Sequence, residues 1–206
     1  MKNWGLTAAL LLLAMFALAE TARAEVPISE DVRQMAQRVR ESADHQRRPF
    51  AIVDKRAALL VVFHANGQLA GSAPALLGSA YGDDTAAGVG ERTQRGALRA
   101  GDATTPAGRF LTQPGHNHTG EAVIWVDLDA AFAIHRLRPG SGHNMRAQRL
   151  DSTSPRDNRV SAGCVVVAVA FFKNVVLPLL GRQPAVVYVL PEAGLAAARG
   201  GHANGL

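Results

Sequence analysis

Cysteine and aromatic residues are scarce in this 206-residue chain: Cys164 is its one cysteine, and aromatic residues make up 5% of it. A single cysteine excludes any disulfide within the chain. The formal net charge of +5 raises the question of a nucleic-acid partner. The basic residues are scattered, however, and the few aromatics are not interleaved with them, so no nucleic-acid partner is expected. A solvated basic surface is the simplest explanation of the charge, and a polyanionic envelope surface suits it better than nucleic acid does.

Apolar runs long enough to span a membrane are also lacking. The N-terminal run, 6–19, follows the single charge of Lys2 and is shorter than the roughly 20 apolar residues that a spanning helix needs. It is followed by Ala22-Arg23-Ala24, the small-x-small pattern of a signal-peptidase site. We therefore predict a signal peptide cleaved after Ala24 and export to the periplasm. If the segment stays uncleaved, it is the expected membrane contact of the chain.

Export makes the lone thiol informative. An oxidising compartment normally closes cysteines into pairs, so an unpaired one is either buried as a small apolar side chain or required for chemistry. The small turn Ser161-Ala162-Gly163 directly precedes Cys164 and favours chemistry. Glycine lets the backbone approach a ligand closely, and backbone N–H groups around a nucleophile can stabilise an oxyanion. Arg159 and a histidine partner are expected to stabilise the reactive thiolate.

The pattern of apolar residues predicts a mainly β domain, a sandwich or open barrel, over 49–191. Ser29 is expected to cap an amphipathic N-terminal helix within 25–48. A short helix after the cysteine, 171–177, is predicted to stop at Pro178. Strands are predicted at 50–53, 59–63, 68–80, 108–112, 123–128, 131–137, 165–169 and 185–190.

Two polar stretches interrupt the predicted strands. Residues 81–102 and 138–159 have no apolar period and are long for connections within a compact domain, so we expect functional loops. The second stretch lies before the cysteine turn and is rich in arginine, which makes it a candidate cover for the nucleophile. The Gly- and Ala-rich end, 192–206, is expected to be a flexible tail.

Several short motifs follow one another in a defined order. Thr105-Pro106-x-Gly108-x-Phe110 comes first, then Ile134-His135, then a loop that ends in Ser161-x-Gly163-Cys164. In type and order these motifs resemble the catalytic domain of the L,D-transpeptidase family, in which a strand-borne His precedes Ser/Thr-His-Gly-Cys. The stretch 149–171 is similar to a proteobacterial subgroup with a lengthened loop. The resemblance covers about 49–191.

The resemblance implies a β-rich fold in which Cys164 is acylated by the third residue of a peptidoglycan tetrapeptide stem and releases the terminal D-Ala. An amine of another stem or of a protein then resolves the acyl-enzyme, which divides one difficult step into two. His135 is implied as the base, with the carbonyl of Arg136 holding its tautomer. No metal or organic cofactor is implied. We expect a monomer whose partners are peptidoglycan stem peptides.

Departures from the family pattern leave alternatives open. Ala162 stands where the family has His, and Val166 stands where Asn is usual, which allows a catalytically silent murein-binding module. The lengthened loop makes His143 a better match to the general spacing than His135, although the apolar run before His135 favours His135 as the base. Water as the acceptor, in place of an amine, would make the enzyme an L,D-carboxypeptidase.

Four residues are predicted to bind the substrate: Arg159 and Ser161 beside the turn, and Arg149 and Arg156 in the loop before it. Guanidinium groups can hold the carboxylates of a peptide stem in a bidentate manner. A solvated loop face is the alternative for the loop arginines.

The closely spaced His116 and His118 are the remaining candidate ligands, with Glu121 as a third group for a metal ion. Closely spaced histidines are common in solvated loops. No metal is therefore expected.

Overall fold

The computed structural model describes residues 27–195, so the predicted signal segment, 1–24, and residues 196–206 lie outside it. Its first element is helix α1, Glu30–Ser42. The Ser29 hydroxyl accepts a hydrogen bond from a backbone N–H of the first turn (3.2 Å), as an N-cap does. The predicted N-terminal helix and its cap are therefore confirmed.

One mixed sheet dominates the described part of the chain. Its strands are β1 Phe50–Asp54, β2 Leu59–Phe63, β3 Leu69–Gly78, β4 Gly108–Leu111, β5 Gln113–His116, β6 Ala122–Asp127, β7 Phe132–Arg136, β8 Arg159–Ser161, β9 Val165–Val167 and β10 Val186–Val189. Their order across the sheet is β4-β10-β1-β2-β3-β9-β7-β6-β5, and β8 pairs with β3. The pairs β1–β10, β7–β9 and β3–β8 are parallel, whereas the other pairs are antiparallel.

The two edges of this sheet are joined by one residue. Strand β4 forms one edge and β5 the other, yet only Thr112 separates them along the chain. The Thr112 hydroxyl donates to the Ala185 carbonyl (3.1 Å) and accepts from the Ala185 N–H (3.1 Å), which fixes the crossing beside β10. The sheet is therefore nearly closed and barrel-like. This confirms the prediction of a mainly β domain with few helices.

The interior of the sheet is filled by strand side chains and by a helical segment after β9. The segment runs as α4 (Val169–Phe171), a π-helical turn (Phe172–Val176) and α5 (Leu177–Leu180), so Pro178 does not stop it, contrary to the prediction. Pro178 stands at the start of α5, where the preceding π turn has already changed the hydrogen-bond pattern and its missing N–H is tolerated. The side chains that the segment buries most fully are those of Phe172, Val176 and Leu180.

The structure contains four elements that the sequence pattern does not predict. Helices α2 (Val89–Gln94) and α3 (His143–Leu150) lie within the two polar stretches. Both are short and bury few side chains, Leu150 alone in α3, so neither produces an apolar period. The edge strand β5 contains Pro114, which an edge position tolerates, and β8 has only three residues. No helix described within 27–195 is long and apolar enough to cross a membrane.

The predicted flexible tail, 192–206, begins too early. The Glu192 carboxylate forms an ion pair with Arg159 at 2.6 Å. The side chain of Leu195 is buried in the cluster between α1 and the sheet. These contacts attach residues 192–195 to the domain, so the prediction is wrong for that part.

Candidate active site

The predicted nucleophile and base lie on neighbouring parallel strands. In the pairing of β7 with β9, Ile134 is opposite Val165 and His135 is opposite Val166, and Cys164 directly precedes β9. Because side chains alternate along a strand, Cys164 and His135 point to the same face, two residues apart in register. Ile134 and Val165 belong to the interior cluster. The two predicted catalytic side chains therefore share the outer face of the sheet.

The imidazole of His135 is oriented by its own chain. Its Nδ1 lies 2.8 Å from the carbonyl oxygen of Arg136, the contact expected from the sequence, which favours the tautomer with the proton on Nδ1. Burial lowers the pKa of His135 to about 4, and the charges of Arg138 and Arg136 act in the same direction. The ring is therefore neutral at pH 7, and its Nε2 can accept a proton. The catalytic role of His135 stays a prediction.

The thiol of Cys164 is partly buried and protonated. Its Sγ lies 3.6 Å from the carbonyl oxygen of Ala131, a weak S–H donor contact. Burial raises the pKa of the thiol, while a backbone hydrogen bond and the charge of Arg138 oppose the rise. The charge that lowers the pKa of the thiol is that of Arg138, not that of Arg159, which was expected from the sequence. The resting site holds a neutral thiol and a neutral imidazole.

Ser161 organises the turn before the cysteine. Its hydroxyl donates to the Cys164 carbonyl oxygen (2.6 Å) and accepts from the Gly163 N–H (3.1 Å). Among the backbone N–H groups around the nucleophile, which were expected to face an oxyanion, that of Gly163 is thus occupied within the turn. The N–H of Cys164 donates to no other residue of the described chain. It is the free donor beside the nucleophile.

Gly163 has a φ of +118°, a backbone conformation that other residues adopt at a cost. A Cβ at this position would lie 2.8 Å from the carbonyl oxygen of Thr104. The Gly163 carbonyl oxygen accepts a hydrogen bond from the hydroxyl of Thr105 (2.8 Å). The turn therefore requires glycine both for its torsion angle and for the close approach of the segment 104–105.

One glutamate balances two arginines beside His135. Glu121 forms ion pairs with Arg136 and with Arg138, the latter at 2.9 Å between Nε and Oε2. Its charge raises the pKa of His135 and so opposes the arginines. The sequence pattern suggested Glu121 only as a metal ligand, because nothing linear reveals that β6 and β7 bring it next to His135.

Helix α3 covers the outer face next to Cys164. Leu150 packs with Leu76, Leu137 and Val166 in a small buried cluster, and Cys164 lies partly buried against it. The cover expected from the stretch 138–159 is thus formed largely by a helix.

His143, the alternative base, is the first residue of α3. Its Nδ1 lies 2.9 Å from the carbonyl oxygen of Arg138, and Arg146 donates to the same oxygen (3.4 Å). His143 therefore fastens α3 to the chain that leaves β7. Neither His143 nor His135 makes a hydrogen bond to Cys164, but His135 lies on the strand that pairs with β9, directly after the cysteine. The choice of His135 as the base therefore stays a prediction.

The guanidinium of Arg159 is used inside the fold. Its side chain is 5% exposed, pairs with Glu192 at 2.6 Å and donates to the Lys55 carbonyl at 3.1 Å. The Tyr81 ring lies over the guanidinium carbon at 4.5 Å. Arg159 is therefore not positioned to grip a substrate, and the Ser161 hydroxyl is likewise taken up by the turn. Both predictions of direct substrate binding need this correction.

The other two predicted substrate residues remain near the surface. Arg149 donates to the carbonyl of Asp157 (3.1 Å), and Arg156 is exposed. Arg149 lies in the last turn of α3, and Arg156 lies between α3 and the cysteine turn. Their role in binding stays a prediction.

A shallow cleft adjoins the turn. Its walls include Thr104, Ala131, Phe132, Ala162 and Gly163, most of them small. Ala131, one of these wall residues, contacts the Cys164 sulfur through its carbonyl oxygen, so the cleft lies next to the candidate nucleophile. Ala162 is the exposed one of these five residues.

The candidate metal ligands do not assemble. Within the described chain, no group of three His, Cys, Asp or Glu side chains could hold an ion. His116 and His118 are exposed, and Glu121 is engaged with two arginines.

Two side chains that matter for the site carry no assigned role in the sequence analysis. Thr105 was part of a motif, but its contact with Gly163 spans 58 positions in the chain. Arg138 was one arginine among many, and only the fold places its charge beside both His135 and Cys164.

Comparison of the chain with known protein-family models and with curated protein sequences found no match. A barrel-like sheet with a neighbouring cysteine and histidine on its outer face defines a candidate cysteine-nucleophile site. The choice of reaction therefore depends on the motifs and on this geometry.

Proposed function

We propose that the protein is an exported cysteine acyltransferase of the L,D-transpeptidase class that acts in the periplasm on peptidoglycan stem peptides. One observation carries the proposal: Cys164 and His135 share a face of adjacent parallel strands, beside a glycine turn with a free backbone N–H. The type and order of the sequence motifs support the substrate class.

In the first half-reaction, the Cys164 sulfur attacks the carbonyl carbon of the third stem residue while Nε2 of His135 takes the thiol proton. The peptide bond to the terminal D-Ala breaks, and the imidazolium gives that proton to the departing amine. The Arg136 carbonyl supports the imidazolium through its contact with Nδ1. The Cys164 N–H is available to the oxyanion of the tetrahedral intermediate.

In the second half-reaction, an acceptor amine attacks the thioester carbon and His135 takes a proton from that amine. The sulfur leaves, is protonated by His135, and restores the neutral thiol and imidazole. Attack by water instead would make the protein an L,D-carboxypeptidase. The products separate these two activities, because an amine gives a new amide and water gives a free tripeptide stem.

A second candidate function is binding of murein without catalysis. Two observations favour it: burial raises the pKa of Cys164, and Ala162 replaces the histidine of the family motif. A silent module would retain the cleft beside the turn but would form no acyl-enzyme.

The deciding experiment is incubation of the purified protein with a tetrapeptide-stem muropeptide. We expect the intact mass to increase by one stem acyl group and free D-Ala to appear, in an amount that rises above that of the enzyme as the acyl group is transferred to an acceptor. Cys164→Ala should show neither change and keep its circular-dichroism spectrum, because it loses the nucleophile and only a small apolar volume. Full activity of Cys164→Ala contradicts the proposal. A native protein that binds the muropeptide without acylation supports the silent module.

A further inference from the structure

We infer that Thr105 is a positioning residue that aims the oxyanion donor of the candidate site, the backbone N–H of Cys164. The inference rests on the proposed acyl transfer at Cys164. It gives a role to a threonine that the motif resemblance leaves without one, and it identifies which N–H of the turn acts on the oxyanion.

The hydroxyl of Thr105 links the cysteine turn to the sheet. It donates to the carbonyl oxygen of Gly163 (2.8 Å) and accepts from the N–H of Gly78 (2.8 Å), at the end of β3. Thr105 is 0% exposed, so no water competes for these two hydrogen bonds. Loss of the hydroxyl would leave a buried carbonyl and a buried N–H without partners.

The hydrogen bond to Gly163 acts on the peptide group of the nucleophile. The Gly163 carbonyl and the Cys164 N–H belong to one peptide group, which is planar and trans, so they point in opposite directions. Holding the carbonyl toward Thr105 therefore sets the direction of the N–H. A hydrogen bond on the carbonyl also polarises the peptide group and strengthens its N–H as a donor.

The backbone N–H of Gly163 itself is not free to donate to the oxyanion. The Gly163 N–H already donates to the Ser161 hydroxyl (3.1 Å), whereas the Cys164 N–H has no acceptor within the described chain. Of the N–H groups of Gly163 and Cys164, only that of Cys164 is therefore free.

The backbone of Thr105 is held by contacts that do not involve the cysteine turn. Its carbonyl oxygen accepts from Nζ of Lys55 (3.1 Å). The Lys55 side chain is fully buried, pairs with Asp83 at 2.5 Å and lies 3.6 Å from Glu192. Breaking such a contact would leave a buried charge without a partner. The hydroxyl is therefore positioned by this ionic cluster and by β3, not by the cysteine turn.

Thr112 offers a matched control within the same sheet. It is also 0% exposed, and its hydroxyl also makes two hydrogen bonds to backbone atoms, both of Ala185 and both at 3.1 Å. It lies at the crossing from β4 to β5 and makes no contact with the cysteine turn. Loss of its hydroxyl should therefore affect stability in a similar way without affecting the oxyanion.

The experiment compares Thr105→Val, Thr105→Ser and Thr112→Val in two reactions of Cys164. The first is acylation by the tetrapeptide-stem muropeptide, and the second is alkylation by iodoacetamide, which forms no oxyanion. Thr105→Val should lower the maximal acylation rate at least about tenfold, since loss of an oxyanion donor commonly costs ~10²–10³. Its half-saturating muropeptide concentration and its alkylation rate should stay close to those of the native protein. Thr105→Ser should restore acylation, and Thr112→Val should leave it unchanged.

Each alternative outcome is decisive. Native acylation by Thr105→Val refutes the inference and leaves the proposed function intact. Equal losses in Thr105→Val and Thr112→Val, or a parallel loss of acylation and alkylation, also refute it, because these indicate general loosening. If the Val variant does not fold, Thr105→Ala removes the same hydroxyl with room for water, and the same comparison applies. A native protein that is never acylated refutes the proposed function and this inference together.

Discussion

Two helices cover two parts of the outer surface of the same sheet, and they bury very different amounts of apolar surface. Helix α1 buries Val32, Ala36 and Val39 in a cluster with side chains of β1, β2 and β10. Helix α3 buries only Leu150, in a cluster with three other buried residues. The buried residues under α1 form a second hydrophobic core, whereas those under α3 form only a small cluster.

The polar groups of the candidate site lie where the apolar packing is less extensive. The thiol of Cys164 lies against the cluster under α3, and α3 contacts the carbonyl of Arg138 through His143 and Arg146. The imidazole of His135 shares the outer face with Cys164, and Glu121 forms ion pairs with Arg136 and Arg138. A substrate needs access and a nucleophile needs room to move, and close packing as under α1 would deny both. The sheet therefore packs most extensively under α1, and the thiol of the candidate site lies against the smaller cluster under α3.

The largest expected effect is on the side of α3. His135→Gln should lower the rate of acylation by about 10²–10⁴, the usual contribution of a general base. His143→Gln should change it little, because His143 only fastens α3 to the Arg138 carbonyl. Acylation by a muropeptide, followed by intact mass, measures both. The opposite ranking would transfer the role of base to His143.

The second prediction concerns pH and stability on the same side. The pKa of His135 is about 4 in the folded protein, against 6.5 for an ordinary histidine, and burial is the main cause. Between these values the unfolded chain binds the proton and the folded chain does not, so stability falls as pH falls from 6.5 toward 4. The full loss corresponds to roughly 3 kcal/mol.

Urea unfolding of the native protein and of His135→Gln at pH 7 and pH 4.5 measures this effect. The native protein should lose more stability than the variant over that interval. Equal losses of unfolding free energy in the two proteins would show that the pKa of His135 is not lowered by folding. The prediction that His135 stays neutral at acidic pH would then be wrong.

The third prediction contrasts the two packing regions directly. Val39→Ala under α1 should lower the free energy of unfolding by about 2 kcal/mol, from lost burial plus a cavity, and leave acylation unchanged. Leu150→Ala under α3 should slow acylation severalfold, because it loosens the cover of Cys164. Denaturation midpoints and acylation rates, measured on both variants, test the contrast. A slower Val39→Ala would show that the two regions are coupled.

The smallest expected effects belong to the surface arginines. Arg149→Gln and Arg156→Gln should each weaken muropeptide use by about twofold at low salt, and added salt should reduce the difference, because exposed charges are screened. Initial rates at two salt concentrations measure this. Rates equal to the native protein at both would remove the two arginines from the candidate site.

Much of the β structure could be predicted from the sequence because strands such as β1 and β2 are short β-branched and aliphatic runs between turn residues. Helix α1 was also predictable, since Ser29 and the apolar spacing are local signals. Helix α3 was not, because one buried leucine gives no period. The continuation of the helical segment through Pro178 could not be predicted, because it depends on the π turn that precedes the proline.

What the sequence by itself determined are features encoded over a few neighbouring residues: the lone Cys164 after a glycine turn, the histidine on an apolar strand, and the mainly β character of the domain. Only the tertiary structure decided which groups surround the thiol. Thr105, Glu121 and Arg138 come from distant positions, and Arg159 is drawn away into an ionic cluster. The physical reason is that burial and charge act through space, so the pKa of a thiol or an imidazole depends on the packing of the whole sheet.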